Sequence, residues 1–221
     1  MVAHEIRSPM NSVLAQLKVV LDGLAGDLTE KQQELLTKAS EKIMSLVTLS
    51  SELLDLARIE SGLITQEREQ LDLFPLLVDQ VTFYQASAQE KKISLDLKKP
   101  PELPMIMGNR YNLEEVLSNL INNAIKYTPE GGKITVSAGV EKTYLCISVR
   151  DSGYGIPEDE IGRVFDRFYR VKNDQTRYIT GTGLGLAIVK SIMEAHNGMV
   201  RAVSEPGHGS TFSIYIPMSN S

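Results

Sequence analysis

Apolar residues at the start of the chain fall at Ile6, Met10, Val13, Leu17, Val20 and Leu24. The steps of 4, 3, 4, 3 and 4 form a heptad seam, which predicts an amphipathic helix. The stretch Leu-Ala-Gly-Asp-Leu at 24–28 breaks it. Thr29 with Gln32 then reads as a capping box that opens a second helix. The second seam runs through Leu35, Ala39, Ile43, Leu46, Leu53 and Ala57, with Ser50 as a polar gap. Gly62 stands where a C-terminal cap falls. Two helices joined by a short turn form an antiparallel hairpin that buries little apolar surface by itself. The expectation is a homodimer whose four helices make a bundle. The alternative is that the hairpin packs on the remainder of the chain.

From Glu67 onward the period changes repeatedly. Leu73–Glu90 is helix-like, and Ile93, Leu95 and Leu97 alternate as in a half-buried strand. Asn112–Tyr127 predicts a strong helix, with Leu113, Val116, Leu117, Leu120, Ile121 and Ala124 at helical spacing. Lys133–Ala138 and Tyr144–Asp151 read as a strand hairpin, Gly185–Ala195 as a helix, and Met199–Ser204 and Ser210–Pro217 as closing strands. Locally paired strands with helices between them predict an α+β sandwich, one mixed sheet under one helical layer. The expected division is residues 1–64 and 65–221, joined near Gly62–Gln66.

Composition narrows the class. The 221 residues are 42% hydrophobic and 23% charged, the balance of a folded globular protein. One cysteine allows no internal disulfide. A net charge of −5 argues against nucleic acid as a partner. No run approaches the ~18 apolar residues of a membrane span. The first ten residues carry His, Glu, Arg and Pro where a secretion signal needs an apolar core.

Three local patterns carry chemistry. On the strand 144–151, period two places Asp151 on the apolar face of Leu145, Ile147 and Val149, and Gly153 and Gly155 come directly after it. A carboxylate there needs a partner, although the same string also describes a surface turn. Gly181-Thr-Gly183-Leu-Gly185-Leu opens an apolar helix, whose free N–H groups suit phosphate. It equally describes a helix packed closely on a neighbour. Glu115, Asn119, Asn123 and Lys126 share one helix face and offer oxygens and a cation to hydrated Mg²⁺ and phosphate. A solvated face would look alike.

In this order the patterns resemble the ATP-binding domain shared by sensor histidine kinases, gyrase-type topoisomerases, related heat-shock chaperones and mismatch-repair ATPases (the Bergerat fold). Asn119-Leu-Ile-Asn-Asn-Ala-Ile-Lys-Tyr-Thr128 is similar to the family's N box, and Asp151-Ser-Gly-Tyr-Gly-Ile-Pro157 to its G1 box. Phe165-Asp-Arg-Phe-Tyr-Arg170 is similar to the F box of the kinases, Gly181–Leu186 to the G2 box, and Gly207-His-Gly-Ser-Thr-Phe212 to the closing motif. His4-Glu-Ile-Arg-Ser-Pro9 resembles the H box of a histidine kinase. His4 faces outward on the heptad. Pro9 lacks the N–H that would bond the Glu5 carbonyl, so a kink is expected beside it.

The resemblance implies a dimerisation and histidine phosphotransfer domain followed by a catalytic ATP-binding domain. It implies that ATP phosphorylates His4, aided by Glu5, and that the phosphoryl group passes to an Asp of a response regulator receiver domain. Ser8 takes the place linked to regulator dephosphorylation. Nucleotide would contact Asn119, Asn123, Lys126, Tyr127, Asp151, Gly153, Gly155 and Ile156. Further contacts fall to Tyr169, Arg170, Gly181, Thr182, Gly183, Leu184, Gly185 and Thr211. Asn123 would hold Mg²⁺, and 157–181 would form a basic lid carrying Arg163, Arg167, Lys172 and Arg177. His196, two residues before Gly198, and His208, between Gly207 and Gly209, stand at expected turns and read as surface or capping residues. Asn109, Asn112 and Glu115 depart from the family's usual Asp, Arg and Gln, and only three residues precede His4. The resemblance thus implies the cytoplasmic portion of a longer receptor, membrane-anchored only through segments outside this chain. Other readings are an ATP-gated dimeric scaffold without phosphotransfer and a hydrolytic ATPase of the same superfamily.

Overall fold

A computed structural model describes residues 2–60, 68–98, 102–171 and 173–218, without the side chains of 2–7 and 60. Gly62 and the junction at 62–66 lie outside these residues. The chain divides into two compact units.

The first unit comprises 1–57 together with Thr180–Thr182. Helix α1 spans Val2–Leu21 and runs through Pro9. Helix α2 spans Glu30–Glu60. The capping box forms as expected: Thr29 N–H donates to Gln32 Oε1 at 2.9 Å, and Gln32 N–H donates to Thr29 Oγ1 at 3.3 Å. The seams differ from the expectation. Leu24 lies beyond α1 and is 78% exposed. Along α2 the half-buried stripe runs Leu36, Ala39, Ile43 and Val47. Leu35, Leu46 and Leu53 form a second, exposed stripe beside it. Ile43 belongs to both helical rows, which is why the sequence pattern merged them.

The second unit holds the sandwich. Its elements are β1 (Glu69–Leu71), α3 (Leu73–Glu90), β2 (Ser94–Leu97), β3 (Ile106–Gly108), α4 (Arg110–Tyr127), β4 (Lys133–Glu141) and β5 (Tyr144–Asp151), then α5 (Glu158–Ile161), α6 (Gly185–Ala195), β6 (Met199–Glu205) and β7 (Gly209–Pro217). The main sheet has the order β2-β4-β5-β7-β6. β2 is parallel to β4, and the other pairs are antiparallel. β1 and β3 form a separate antiparallel pair that three-residue strands gave no pattern to reveal. Ile134 and Val136, Leu145, Ile147 and Val149, and Ile214 and Ile216 turn one sheet face inward. Helices α3, α4 and α6 supply the facing layer through Leu76, Leu77, Leu113, Leu117, Leu120, Ile121, Ile188 and Ile192.

Two polar devices fix α4. At its start, Asn109 Oδ1 accepts the Asn112 N–H at 3.0 Å. At its end, Lys91 Nζ donates to the carbonyls of Ile125 and Lys126 at 2.8 and 2.9 Å, a cation on the negative end of the helix dipole. His196 joins α4 to α6. It is buried, which corrects the surface reading, and it caps α6. Its Nε2 accepts the Asn109 N–H at 3.1 Å, while Nδ1–H donates to the Ile192 carbonyl at 2.8 Å. Only the neutral ring can do both. Burial lowers the His196 pKa, the Ile192 bond opposes this, and Arg68 adds to it.

A depressed histidine pKa contributes stability above the unfolded value and loses it as pH falls through the folded one. The unfolding midpoint should therefore drop as pH falls below about 6.5. His196→Gln should cost about 1–2 kcal/mol at pH 7.5 and flatten that slope, measured by denaturant titration at several pH values. An unaltered slope would show that another group titrates.

Candidate active site

β5 carries Leu145, Ile147 and Val149 into the core and ends on Asp151, which is 5% exposed. Asp151 Oδ1 accepts backbone N–H bonds from Gly153 at 2.8 Å and Ser210 at 3.2 Å. Both fall on one oxygen. Burial raises the Asp151 pKa, and the bonds from Gly153 and Ser210 partly offset this.

The two glycines after Asp151 are sterically required. A Cβ at Gly153 would lie 2.4 Å from the Tyr127 carbonyl oxygen. Gly155 has φ +70°, and a Cβ there would lie 2.0 Å from the Glu205 carbonyl oxygen. The turn is threaded between the end of α4 and the β6–β7 turn. Tyr154 N–H donates to Tyr127 O at 3.2 Å, Gly207 N–H to Tyr154 O at 2.8 Å, and Ile156 N–H to Ser204 Oγ at 2.9 Å.

Asp151 lines a partly open cleft. Of the residues singled out from the sequence, Asn123, Tyr127, Asp151, Gly155, Ile156, Tyr169 and Arg170 line it. The sequence reading missed Val164, Val171, Thr176, Leu186, Ser210 and Phe212, which complete the wall. Two of these were recoverable: period two from Ile214 and Ile216 puts Ser210 and Phe212 on the inner face of β7. The same alternation places Thr211 on the opposite face, paired with Arg150, which corrects its assignment to the cleft.

The other expected contacts lie outside the cleft wall. Asn119 Nδ2 donates to the Glu115 carbonyl at 3.0 Å, and its Oδ1 sits 2.7 Å from where a Cβ on Gly185 would be. Lys126 is half-buried on α4, and Gly153 and Leu184 are buried. Gly181 is exposed, and Gly183 O accepts the Phe168 N–H at 3.0 Å. Thr182 belongs to the first unit, where its hydroxyl donates to Glu52.

The segment after Gly155 builds its own local structure. α5 is a single turn. Arg163 stacks its guanidinium 4.2 Å from the Tyr169 ring centre. Thr176 is buried, its hydroxyl donates to Val171 O at 3.0 Å, and its N–H donates to Asn173 Oδ1 at 2.9 Å. Arg170 donates to the Ile179 carbonyl. Lys172 lies outside the described residues. In the first unit His4 and Glu5 fall within α1, but their side chains also lie outside the described residues, whereas Ser8 is exposed.

A carboxylate whose folded pKa is raised contributes stability below its unfolded pKa and loses it as pH rises through the folded value. Asp151→Asn keeps an oxygen for Gly153 and Ser210 and removes the buried charge. Ligand-free Asp151→Asn should therefore melt above the wild type at pH 7.5. The gap should close as the pH is lowered into the ordinary carboxylate range and the wild type takes up a proton. Differential scanning calorimetry across that range checks both.

The family of phospho-acceptor His Kinase A domains matches residues 1–62, and the family described as histidine kinase-, DNA gyrase B- and HSP90-like ATPase matches residues 108–220. Drug sensory protein A of Synechocystis is 35% identical over 96% of this chain and 33% of its own length. Sensor histidine kinase WalK of Bacillus subtilis is 33% identical over 98% of this chain and 35% of its own. The chain thus spans about a third of the length of these curated relatives. Among solved structures, full-length ShkA in complex with AMPPNP is similar with a TM-score of 0.77 and 29% identity, over 100% of this chain and 45% of that one. Acinetobacter baumannii histidine kinase AdeS is similar with a TM-score of 0.68 and 25% identity, over 98% of both. With the phospho-acceptor match ahead of it and the buried carboxylate at the floor of its cleft, the ATPase match settles the assignment: the chain belongs to the histidine kinase-, DNA gyrase B- and HSP90-like ATPase family, as the catalytic core of a sensor histidine kinase.

Proposed function

We propose that this chain is an ATP-dependent protein-histidine autokinase that phosphorylates His4 and passes the phosphoryl group to an Asp of a response regulator. The observation that carries the reading is Asp151: a buried carboxylate on the cleft wall, one oxygen of which accepts two backbone N–H bonds. That arrangement suits the exocyclic amino group of adenine, which donates but carries no charge. Tyr127, Ile156, Leu186 and Phe212 supply the apolar walls an aromatic base needs.

Asn123 brings a carboxamide to the same cleft, while the described residues contain no cluster of three or more His, Cys, Asp or Glu side chains. This donor set fits Mg²⁺, which keeps waters and takes phosphate oxygens rather than a protein cage. Asn123 would hold the ion, which when bound supplies positive charge to the phosphates. Asn119 and Lys126, one turn either side of Asn123 on α4, and the N–H groups of 181–185 are the further candidates for phosphate contact. Arg170 would swing from Ile179 to offset charge as the γ-phosphoryl group transfers.

The nucleophile is a neutral imidazole nitrogen of His4. Its lone pair forms the N–P bond as the bond from γ-phosphorus to ADP breaks. Glu5 accepts the proton from the other ring nitrogen, which keeps the ring from carrying charge. In the reverse sense, Ser8 lies one turn beyond His4 and would orient water for dephosphorylation of the regulator. The core works as a homodimer, in the cytoplasm. Among the described residues no helix is long and apolar enough to cross a membrane.

Incubation with γ-labelled ATP tests the reading. Wild type should acquire acid-labile, base-stable label, and His4→Ala should lose it while binding nucleotide as before. Asp151→Asn should weaken nucleotide binding by about 10- to 100-fold, the worth of ~1–3 kcal/mol for a lost buried acceptor. Free phosphate without protein label would point to an ATPase, and neither product to a scaffold.

The exposed stripe on α2 supports the dimer. Leu46 and Leu53 are 49% and 42% exposed and sit seven residues apart. Leu46→Glu should convert the dimer to monomer in light scattering while leaving helix content intact. A wild type already monomeric at micromolar concentration would defeat the proposal.

A further inference from the structure

Phe168 has φ +61°. For a bulky side chain this left-handed conformation is an outlier, disfavoured by the clash of Cβ with the following carbonyl. Packing does not compensate, because the residue is 59% exposed. Its backbone is instead held from the other side. The Phe168 N–H donates to Gly183 O at 3.0 Å. Gly183 itself has φ +78°, and a Cβ on it would lie 2.7 Å from Phe168 C and 2.9 Å from Phe168 Cα. The two backbones meet where no side chain fits between them.

The two residues beyond the turn are pinned in place. Tyr169 N–H donates back to Asp166 O at 3.3 Å, its ring carries the Arg163 guanidinium, and Arg170 is tied to Ile179 O. Tyr169 and Arg170 both line the cleft. We infer that Phe168 is a positioning residue for nucleotide binding: its left-handed backbone, fixed by Gly183, is the turn that delivers Tyr169 and Arg170 to the cleft wall. The inference rests on the nucleotide-binding reading above. It assigns the requirement to the backbone at 168 and not to the aromatic ring, and it links the 165–170 segment mechanically to Gly183.

The test is calorimetric titration of wild type, Phe168→Gly, Phe168→Ala and Phe168→Val with ADP and a non-hydrolysable ATP analogue, with Mg²⁺ present. Glycine adopts positive φ freely, alanine at about the same cost as phenylalanine, and β-branched valine least readily. Phe168→Gly should bind within about twofold of wild type or more tightly, and Phe168→Ala no more tightly than Phe168→Gly. Phe168→Val should bind at least about fivefold more weakly than Phe168→Gly. Rescue by glycine, the smallest residue, separates positioning from a packing role, which glycine would damage most. Phe168→Gly weaker than Phe168→Ala overturns the inference, even if Phe168→Val does not fold. Equal affinities of Phe168→Val and Phe168→Gly do the same. A wild type without affinity for either nucleotide overturns the binding reading itself and this inference with it.

Discussion

A carboxylate taken from water into a protein interior loses hydration that only bonded donors can replace. Asp151 sits at that boundary, and much of the second unit is arranged around it. β5 brings it in as the last inward position of a strand that is otherwise apolar. Gly153 and Ser210 bond one oxygen, and the absence of side chains at 153 and 155 lets the turn press against α4 on one side and the β6–β7 turn on the other. The raised pKa that remains is a cost built into the ligand-free fold, of the kind that functional sites retain. A donor from the cleft would remove part of it, so ligand binding and folding stability are linked through one side chain.

The wall around Asp151 comes from elements far apart in sequence. α4 contributes Asn123 and Tyr127, β7 contributes Ser210 and Phe212, and the segment after Gly155 contributes Tyr169, Arg170 and Thr176. Their agreement depends on the packing of α4 against α6. The buried, neutral His196 ring holds the start of α4 to the end of α6, while Asn119 lies close against Gly185 at the start of α6. The helix opened by the glycine loop is thus matched at both of its ends to the helix that carries the N-box residues.

Long periodic elements were legible in the sequence. Leu73–Glu90, Tyr144–Asp151 and Gly185–Ala195 have the bounds their patterns gave, and the other strands of the main sheet differ by a few residues at their ends. Asp151 was legible because period two carries an apolar face onto it. β1, β3 and α5 were not, because three or four residues cannot express a period. The cleft wall was legible only where a side chain belongs to a motif. Val164, Val171 and Thr176 reach it through irregular turns set by side-chain bonds such as Thr176 Oγ1 to Val171 O, which carry no period. Motif membership also overreached: Thr211 sits beside Ser210 in the same motif yet faces the other way. On α2, neighbouring apolar rows at 35/46 and 36/47 read as one until burial separated them.

The ammonium of Lys91 on the last carbonyls of α4 has an electrostatic consequence for the cleft. The C-terminal end of a helix carries about half a negative charge, and α4 ends at Tyr127, on the cleft wall. Left uncovered, that end would set a repulsive potential toward any polyanion approaching from solvent. Lys91 is the C-cap of α3 and reaches the α4 terminus from behind, so it screens this field without occupying the cleft. The helix that presents Asn123 can therefore point its unfavourable pole toward the site, and α3, which lines none of the cleft, takes part in the local potential that a phosphate chain would meet.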